Sequence, residues 1–515
     1  MFCFVVFKTK LVGAGKPSNA LLIAFVLLLY FPLLALPDIS SFVQDTAVQI
    51  RIGLDMIESR GLILDDIYSW HEGLQWIPHE VGWYFIIGLF YKILGLAGVL
   101  ILCGILVYST AAVAVKQSAG KVNPLIIILC GVLALIYSFP NYNARPSLFS
   151  ELETVILISL LLSDKSTKFK SIAFVCMAFL TAWVHGGAVP LFFLYYFVFA
   201  VLELVYKNFK TFLINLGTMA VAFVLTLANP VGMNIWTYGL VQSTSAKDLW
   251  SSLTEWGPMP LKIIHVFGFL LILVGFMVDE RVVKFEKKTI TKLCLLCMLF
   301  IMATQYFRFA NMLGICILMF APEEIQLLLS WLAEKLFNKK NIKLIKNENI
   351  YYILAVVFLI GTVGVGVAFG TTYFPTNSMD DVSNMAAYDL EVPNFIKDKG
   401  YSKIYNSFST GTWLAFYDVP VHIDNRCDLY LAEYSGEEYL RGTMWLTSID
   451  GVNAFRNKYQ PDAFVLEFSP SNTDYLKMIN EITNEYSEYY TIVYDNTVTS
   501  TYNGAQMRWV IVECN

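Results

Sequence analysis

The stretch VGWYFIIGLFYKILGLAGVLILCGILVYSTAAVAV, Val81 to Val115, decides how this chain is threaded. It is long enough for two membrane spans of about 20 residues each, or for one span preceded by a separate apolar helix. Lys92 and Gly95 interrupt it. The loops between the later apolar runs alternate in kind: one kind carries Lys, the other Asp, Glu, His, Trp and single Arg residues. Lys and Arg accumulate on the cytoplasmic side of membrane proteins. Two crossings within Val81–Val115 would put Lys116 and Lys121 outside and invert every later Lys-rich loop. The sequence therefore predicts an interfacial or re-entrant helix over His79–Lys92 and a single span over Gly95–Val115.

Working outward, Ala20–Leu36 follows Lys8, Lys10 and Lys16 and reads as an uncleaved anchor with its N-terminus inside, because a long acidic loop and not a small-residue cleavage site follows it. Further spans are expected near Pro124–Phe139, Ser147–Leu162, Ser171–Val184, Val189–Val205, Thr211–Ala228, Ile263–Val278, Thr289–Gln305, Phe309–Leu328 and Tyr351–Phe369, eleven in all. The inside loops then hold Lys116 and Lys121; Lys165, Lys168 and Lys170; Lys207 and Lys210; Arg281, Lys284, Lys287 and Lys288; and Lys335, Lys339, Lys340, Lys343 and Lys346. Odd parity puts the C-terminus outside.

Composition agrees with a polytopic α-helical membrane protein: 57% of the 515 residues are hydrophobic, 15% are charged, and mean hydropathy is +0.57. A soluble chain that apolar could not cover its own surface. From Thr371 to Asn515 the chain carries 20 Asp plus Glu against 9 Lys plus Arg, net −11, which leaves the rest at net +6. An acidic region of this kind does not suit nucleic acid or an anionic membrane surface.

Residues 371–515 change texture and are expected to form an extracytoplasmic α/β domain behind a transmembrane domain of residues 1–370 with an external loop at 38–94. Strands are expected at Lys403–Asn406, Val419–Ile423, Ala463–Glu467, Tyr490–Tyr494 and Met507–Glu513. Helices are expected at Met385–Asp398, Gly436–Trp445, Gly451–Tyr459 and Thr473–Asn484. Cys427 and Cys514 both fall in this region, and spacing alone leaves open whether they pair. Cys294 and Cys297 form a CxxC inside an expected span with no second ligand pair, and are read as small apolar residues.

The orientation gathers the chemically distinctive residues outside. Asp45, Gln49 and Gly53 share one face of a helix in the first external loop, which continues through Asp65, Asp66, His71, His79 and Glu80. An acid just above the membrane is placed to serve as a general base at a lipid head group; a solvated loop acid or helix cap is the alternative. Arg145 and Arg308 stand at external span ends, and guanidinium geometry suits a bidentate phosphate clamp. Snorkelling, or pairing with Glu151 or Glu153, is the competing reading. Asp424, Arg426 and Asp428 cluster after an expected strand and are equally suited to pairing with one another or to meeting a sugar or peptide. Trp413, Trp445 and Tyr430 suit either sugar stacking or core packing.

In order, Asp45-x3-Gln49-x-Arg51-x-Gly53, Asp65-Asp66-x-Tyr68-Ser69, Trp76-Ile77-Pro78-His79-Glu80, Ala144-Arg145-Pro146, His185-Gly186, Asn229-Pro230-x-Gly232, Glu255-Trp256 and Arg308-Phe309 resemble the motifs of a family of bacterial multi-span proteins. That family is similar to the GT-C glycosyltransferases, which include protein O-mannosyltransferases and related polyprenyl-phosphate-sugar transferases. Asn406, Gly411-x-x-Leu414 and Asp424-Asn425-Arg426-x-Asp428-x-Tyr430 match its C-terminal pattern. Gln49, Val184 and Asn425 depart from it, Asn425 standing where a Gly is usual.

The resemblance implies a catalytic acid in the first external loop that contacts the acceptor or a divalent metal: Asp45 by position, with Asp65, Asp66 and Glu80 in reserve. It further implies that Arg145, Arg308, His79, His185, Glu255, Trp256, Asp424, Arg426 and Asp428 bind substrate. The implied activity is transfer of a sugar from a polyprenyl-phosphate-linked donor to an extracytoplasmic cell-envelope glycan or protein, in the bacterial plasma membrane. The departures keep a second reading open: a non-catalytic protein on the same scaffold that binds, senses or transports an envelope lipid.

Overall fold

A computed structural model describes residues 42–138, 144–238, 257–337 and 378–515. A π-helical turn, Phe42–Thr46, leads into α1 (Ala47–Ser59). The bundle continues with α2 (Val81–Lys116), α3 (Pro124–Ser138), α4 (Ser147–Leu162), α5 (Thr167–Val184), α6 (Val189–Val205), α7 (Phe209–Thr226), α8 (Ile263–Val278), α9 (Lys287–Gln305) and α10 (Ala310–Phe337). Six helices among the described residues are long and apolar enough to cross a membrane, namely α2, α5, α7, α9, the Gly186–Val205 segment that contains α6 and the Phe307–Leu336 segment that contains most of α10; Pro124–Ser138 and Ile263–Val278 are apolar but shorter. The expected spans Ala20–Leu36 and Tyr351–Phe369 lie outside the described residues, so the count of eleven remains an expectation.

The deciding stretch is one element broken in the middle. Within α2, Gly95 has φ 61° and ψ −147°, a conformation open in practice to glycine, so two helices meet at a kink there. The N-terminal half packs against α1 at very close range. A Cβ on Gly88 would stand 2.6 Å from the Gly53 Cα, and one on Gly53 would stand 2.8 Å from the Gly88 Cα. Two facing glycines let the backbones touch, as small residues do at membrane helix crossings.

Ion pairs tie four of the five Lys-rich loops together at one end of the bundle. Lys121 and Arg281 both reach Glu323, Lys288 pairs with Asp164, and Lys287 pairs with Glu203, which also accepts from Asn208. The alternation of the loops is thus a separation of the two ends of the bundle.

The α/β region adds α11 (Met379–Met385), α12 (Glu391–Lys399), β1 (Ile404–Asn406), α13 (Phe408–Phe416), α14 (Ile449–Tyr459), β2 (Ala463–Phe468), α15 (Thr473–Asn484), β3 (Tyr490–Thr499) and β4 (Gln506–Cys514). The sheet order is β1-β2-β4-β3, with β1 and β2 parallel and the other pairings antiparallel. Strand alternation divides its two faces. Phe464, Leu466, Val510 and Val512 pack with Val452, Phe455, Met478 and Ile482 of α14 and α15. Ala463, Val465, Trp509 and Ile511 join Trp413, Leu414 and Val392 in a core that runs on without a break to Ile50 and Tyr84 of the bundle.

Three expectations are corrected. Val419–Ile423 is no strand of the sheet: Val421 makes an isolated parallel bridge to Ser69, so the loop before α2 has taken its backbone bonds. Gly436–Trp445 forms turns, not a helix, with Gly436 and Gly442 at positive φ. Met385–Asp398 is two helices, parted where Ala387 turns to φ 60°. Cys427 and Cys514 form no disulfide with each other.

Candidate functional site

Asp45 sits in the π-helical turn that opens α1, an irregularity that recurs at functional sites. Its carboxylate accepts from the Arg145 guanidinium, both side chains being partly buried. Arg145 precedes the Pro146 cap of α4. Glu153, offered by the sequence as an alternative partner, accepts instead from Thr181 at 2.7 Å. Asn425 of the α/β region donates its side-chain amide to the Asp45 carbonyl at 2.8 Å.

One turn on, Gln49 accepts from the Trp83 indole at 2.9 Å and donates to Glu80 at 3.4 Å. Glu80 is the residue preceding α2, and burial pushes its carboxyl above the usual range, with Asp428 adding to the shift and His79, Arg145 and Arg308 opposing it. Asp428 is likewise held above its usual range by burial, against the pull of His79. His79 Nε2 lies 3.6 Å from Glu80 and its Nδ1 lies 3.0 Å from the Ile77 carbonyl, while its ring is tilted against Tyr238 at 4.1 Å between centroids.

The His79 carbonyl accepts from the Gly186 N–H at 2.7 Å, which brings the α5–α6 junction against the α2 entry. No side chain fits at Gly186, since a Cβ there would lie 2.8 Å from that carbonyl. His185 is buried beside it, 2.9 Å from the Ser150 hydroxyl; burial, with the charges of Arg308 and His79, pushes its imidazole down to about 3, so it is neutral. Glu80 thus lies within reach of the charges of His79, Arg145, Arg308 and Asp428, His185 within reach of those of His79 and Arg308, and Asp45 joins the group through Arg145. What they assemble is two carboxyls biased toward protonation beside a carboxylate–guanidinium pair.

Asp66, Asp424 and Arg426 form a second assembly. Arg426 meets Asp424 in a fork, Nε to Oδ1 at 3.0 Å and Nη2 to Oδ2 at 2.6 Å, and its Nη1 lies 2.7 Å from Asp66. All three side chains are buried, with exposures of 4% for Arg426, 2% for Asp66 and 0% for Asp424. The rings of Tyr68 and Trp76 each stand 5.1 Å from the guanidinium. Burial alone would raise Asp66, but Arg426 and Ser69 hold it below the ordinary range. Of the residues expected to cluster after a strand, Asp424 and Arg426 pair with each other, whereas Asp428 lies near His79 and Glu80. Asp65, one residue away, is exposed, and Glu255 and Trp256 lie outside the described residues. Trp413 and Tyr430 are fully buried in the core, whereas Trp445 is 50% exposed.

Sequence reasoning missed a histidine pair, a half-buried His71 against a buried His422. His71 Nε2 lies 3.0 Å from His422 Nδ1 and 2.9 Å from its carbonyl, and His422 Nε2 is 3.2 Å from the Thr443 hydroxyl. Burial pushes His71 down to about 4 and His422 well below its usual value. It also missed Glu467 on β2, which accepts from Ser407 and is pushed up to about 7 by burial. His422 and Glu467 each stand between apolar neighbours in sequence, and no spacing links His71 to His422. Among the described residues no group of three or more His, Cys, Asp or Glu is placed to hold a metal ion.

No family model matches the sequence, and no curated protein matches it. Solved structures do match. The apo oligosaccharyltransferase of Archaeoglobus fulgidus superposes with a TM-score of 0.53 at 11% identity, over 93% of this chain and 79% of the other. The same enzyme tethered to an acceptor peptide containing the NVT sequon gives 0.54 at 11% identity, over 95% and 73%. Archaeal oligosaccharyltransferase AglB of that organism, in complex with an inhibitory peptide and a dolichol-phosphate, gives 0.52 at 8% identity, over 93% and 79%. At this identity the likeness is one of fold: the chain is an α-helical membrane protein with an α/β region, and it shares its fold with that oligosaccharyltransferase.

Proposed function

We propose that this protein is a GT-C-type membrane glycosyltransferase, moving a sugar from a polyprenyl-phosphate-linked donor to an extracytoplasmic glycan or protein. The observation that carries the reading is the Asp45–Arg145 pair at the start of α1, set among Glu80, His79, Arg308 and Asp428 where the α/β region meets the bundle. The fold is one in which solved relatives hold an acceptor peptide and a dolichol-phosphate. The proposal includes a membrane domain over residues 1–370, an α/β domain over 371–515 outside the membrane, and an N-terminus in the cytoplasm of a bacterial cell.

In this reading the donor phosphate takes over the Arg145 guanidinium, with Arg308 as the second arm of the clamp, because a phosphate offers the same bidentate acceptor geometry as the carboxylate it displaces. Asp45 is thereby released to accept the acceptor hydroxyl's proton. The acceptor oxygen bonds to the sugar C1 as the bond from C1 to the phosphate oxygen breaks, and polyprenyl phosphate leaves with that electron pair. Glu80 and Asp428, biased toward their neutral forms, leave the site less negative for an anionic donor.

Asp45→Asn should lower transfer by roughly 100- to 10,000-fold, the range for loss of a general base, with expression and detergent extraction unchanged. Transfer at the wild-type rate would remove Asp45 from the role. The engagement of Asp45 by Arg145 also fits the non-catalytic reading, in which that pair is a resting ion pair. Purified protein that binds polyprenyl phosphate yet transfers no sugar from any supplied donor would favour it.

A further inference from the structure

At the end of the bundle away from Asp45, α4, α5, α6 and α9 enclose a cavity of about 290 Å³. Four of its lining side chains are lysines: Lys165, Lys170, Lys287 and Lys288. Two carboxylates stand against them. Lys287 pairs with Glu203, and Lys288 pairs with Asp164 at 2.6 Å. Lys165 and Lys170 form no ion pair with a carboxylate among the described residues.

Lys170 is held in place by other means. Its ammonium donates to the Leu161 carbonyl at 2.8 Å, in the last turn of α4, where the helix dipole favours a cation. It stands 5.4 Å from the centroid of Phe199, and Lys287 stands 5.1 Å from the same ring. Two ammoniums are thus fixed over one aromatic ring, and one of the two, Lys287, pairs with the buried Glu203. The cluster carries an excess of two positive charges around an open space, an arrangement that an anion completes.

We propose that this cavity binds the phosphate of an anionic phospholipid head group. Ammonium groups bind phosphate as point charges, and basic pockets between membrane helices are suited to such head groups. A lipid is favoured over a free phosphate by the exposed apolar side chains next to the charged ones: Phe169, which adjoins Lys170 and lies 5.8 Å from the Lys165 ammonium, is 49% exposed, and Leu204 and Val205, which follow Glu203, are 43% and 50% exposed. That is the division of chemistry within a phospholipid. The site lies at the opposite end of the bundle from the proposed transferase centre, and it stands whether or not that reading holds.

The test is thermal unfolding of the full chain, purified in a neutral detergent, titrated with dioleoyl phosphatidylglycerol, dioleoyl phosphatidylcholine or inorganic phosphate. Phosphatidylglycerol should raise Tm, and the other two should not. With the double variant Lys165→Gln/Lys170→Gln, the apparent Kd for phosphatidylglycerol should weaken by roughly 30-fold, taking about 1 kcal/mol for each lysine near an anionic lipid. Lys170→Arg should retain binding, and so should Lys207→Gln, which removes a lysine outside the cavity. An equal shift with inorganic phosphate would overturn the lipid assignment, and an equal shift in the double variant would overturn the site. Should the double variant not purify, Lys165→Gln alone should retain less phosphatidylglycerol in native mass spectrometry; unchanged retention would overturn the site as well.

Discussion

Arg426 commits its guanidinium to Asp424 and Asp66, with the rings of Tyr68 and Trp76 each 5.1 Å away. A buried ion triad is weak evidence of net stability, but removal of one member leaves the others buried and uncompensated. Arg426→Gln should therefore cost roughly 3–5 kcal/mol of stability, the range for breaking a buried pair. A large fall in Tm and in folded yield is expected, and any protein that does fold should show the wild-type donor KM. A raised KM at unchanged Tm would return Arg426 to substrate binding. Asp45 and Arg145 differ from this triad in being partly open to solvent, with side-chain exposures of 20% and 29%. A partly open pair is separated by an incoming phosphate at lower cost than a fully buried triad, because water offsets part of the lost attraction.

The crossing of α1 and α2 fixes where the proposed base stands. Asp45 and Gln49 precede Gly53 on α1, while Trp83 and Glu80 precede Gly88 on α2, so the close Gly53–Gly88 contact sets the distance at which Gln49 bridges to Trp83 and Glu80. Gly53→Ala puts a methyl group against the backbone of α2 and should force the helices apart. Both Tm and transfer should fall, whereas Gly217→Ala on α7, where a Cβ meets nothing within 4 Å, should change neither. Wild-type behaviour of Gly53→Ala would mean the crossing does not position the site. Elements of this kind were partly legible in the sequence. The break at Gly95 fits a loop-charge argument that sums over the whole chain, and Thr473–Asn484 follows from helical periodicity, which is local. Val419–Ile423 misled because it has strand composition but meets Ser69 of a distant loop, a pairing that no local pattern encodes.

At the scale of the whole molecule, the gathering of Asp45, Glu80, Arg145, His185 and Arg308 was legible because charge alternation assigns them all to one end of the bundle. Their partners were not. The role of Asn425 at the Asp45 carbonyl, and the union of Arg426 with Asp66, depend on how the α/β region docks, which periodicity does not specify. That docking is extensive. Arg51 pairs with Asp418 at 2.8 Å, Ser69 bridges to Val421, and Tyr434 donates to the Tyr238 carbonyl at 3.3 Å. Beneath these polar contacts a single apolar core runs from Ile50 and Tyr84 through Leu414 and Trp413 to Val465 and Trp509. Domains that share a core lack the thin interface that permits independent unfolding. Thermal unfolding in detergent should therefore give one transition, with helix circular dichroism and the fluorescence of the buried Trp83, Trp413 and Trp509 sharing a midpoint. Arg51→Ala should lower that shared midpoint slightly without splitting it, since a partly exposed pair is worth up to about 1 kcal/mol. A tryptophan transition well below the loss of helix would show that the α/β region unfolds by itself. It would also weaken the case for a site that takes Asn425 and Asp428 from one side and Asp45 and Glu80 from the other.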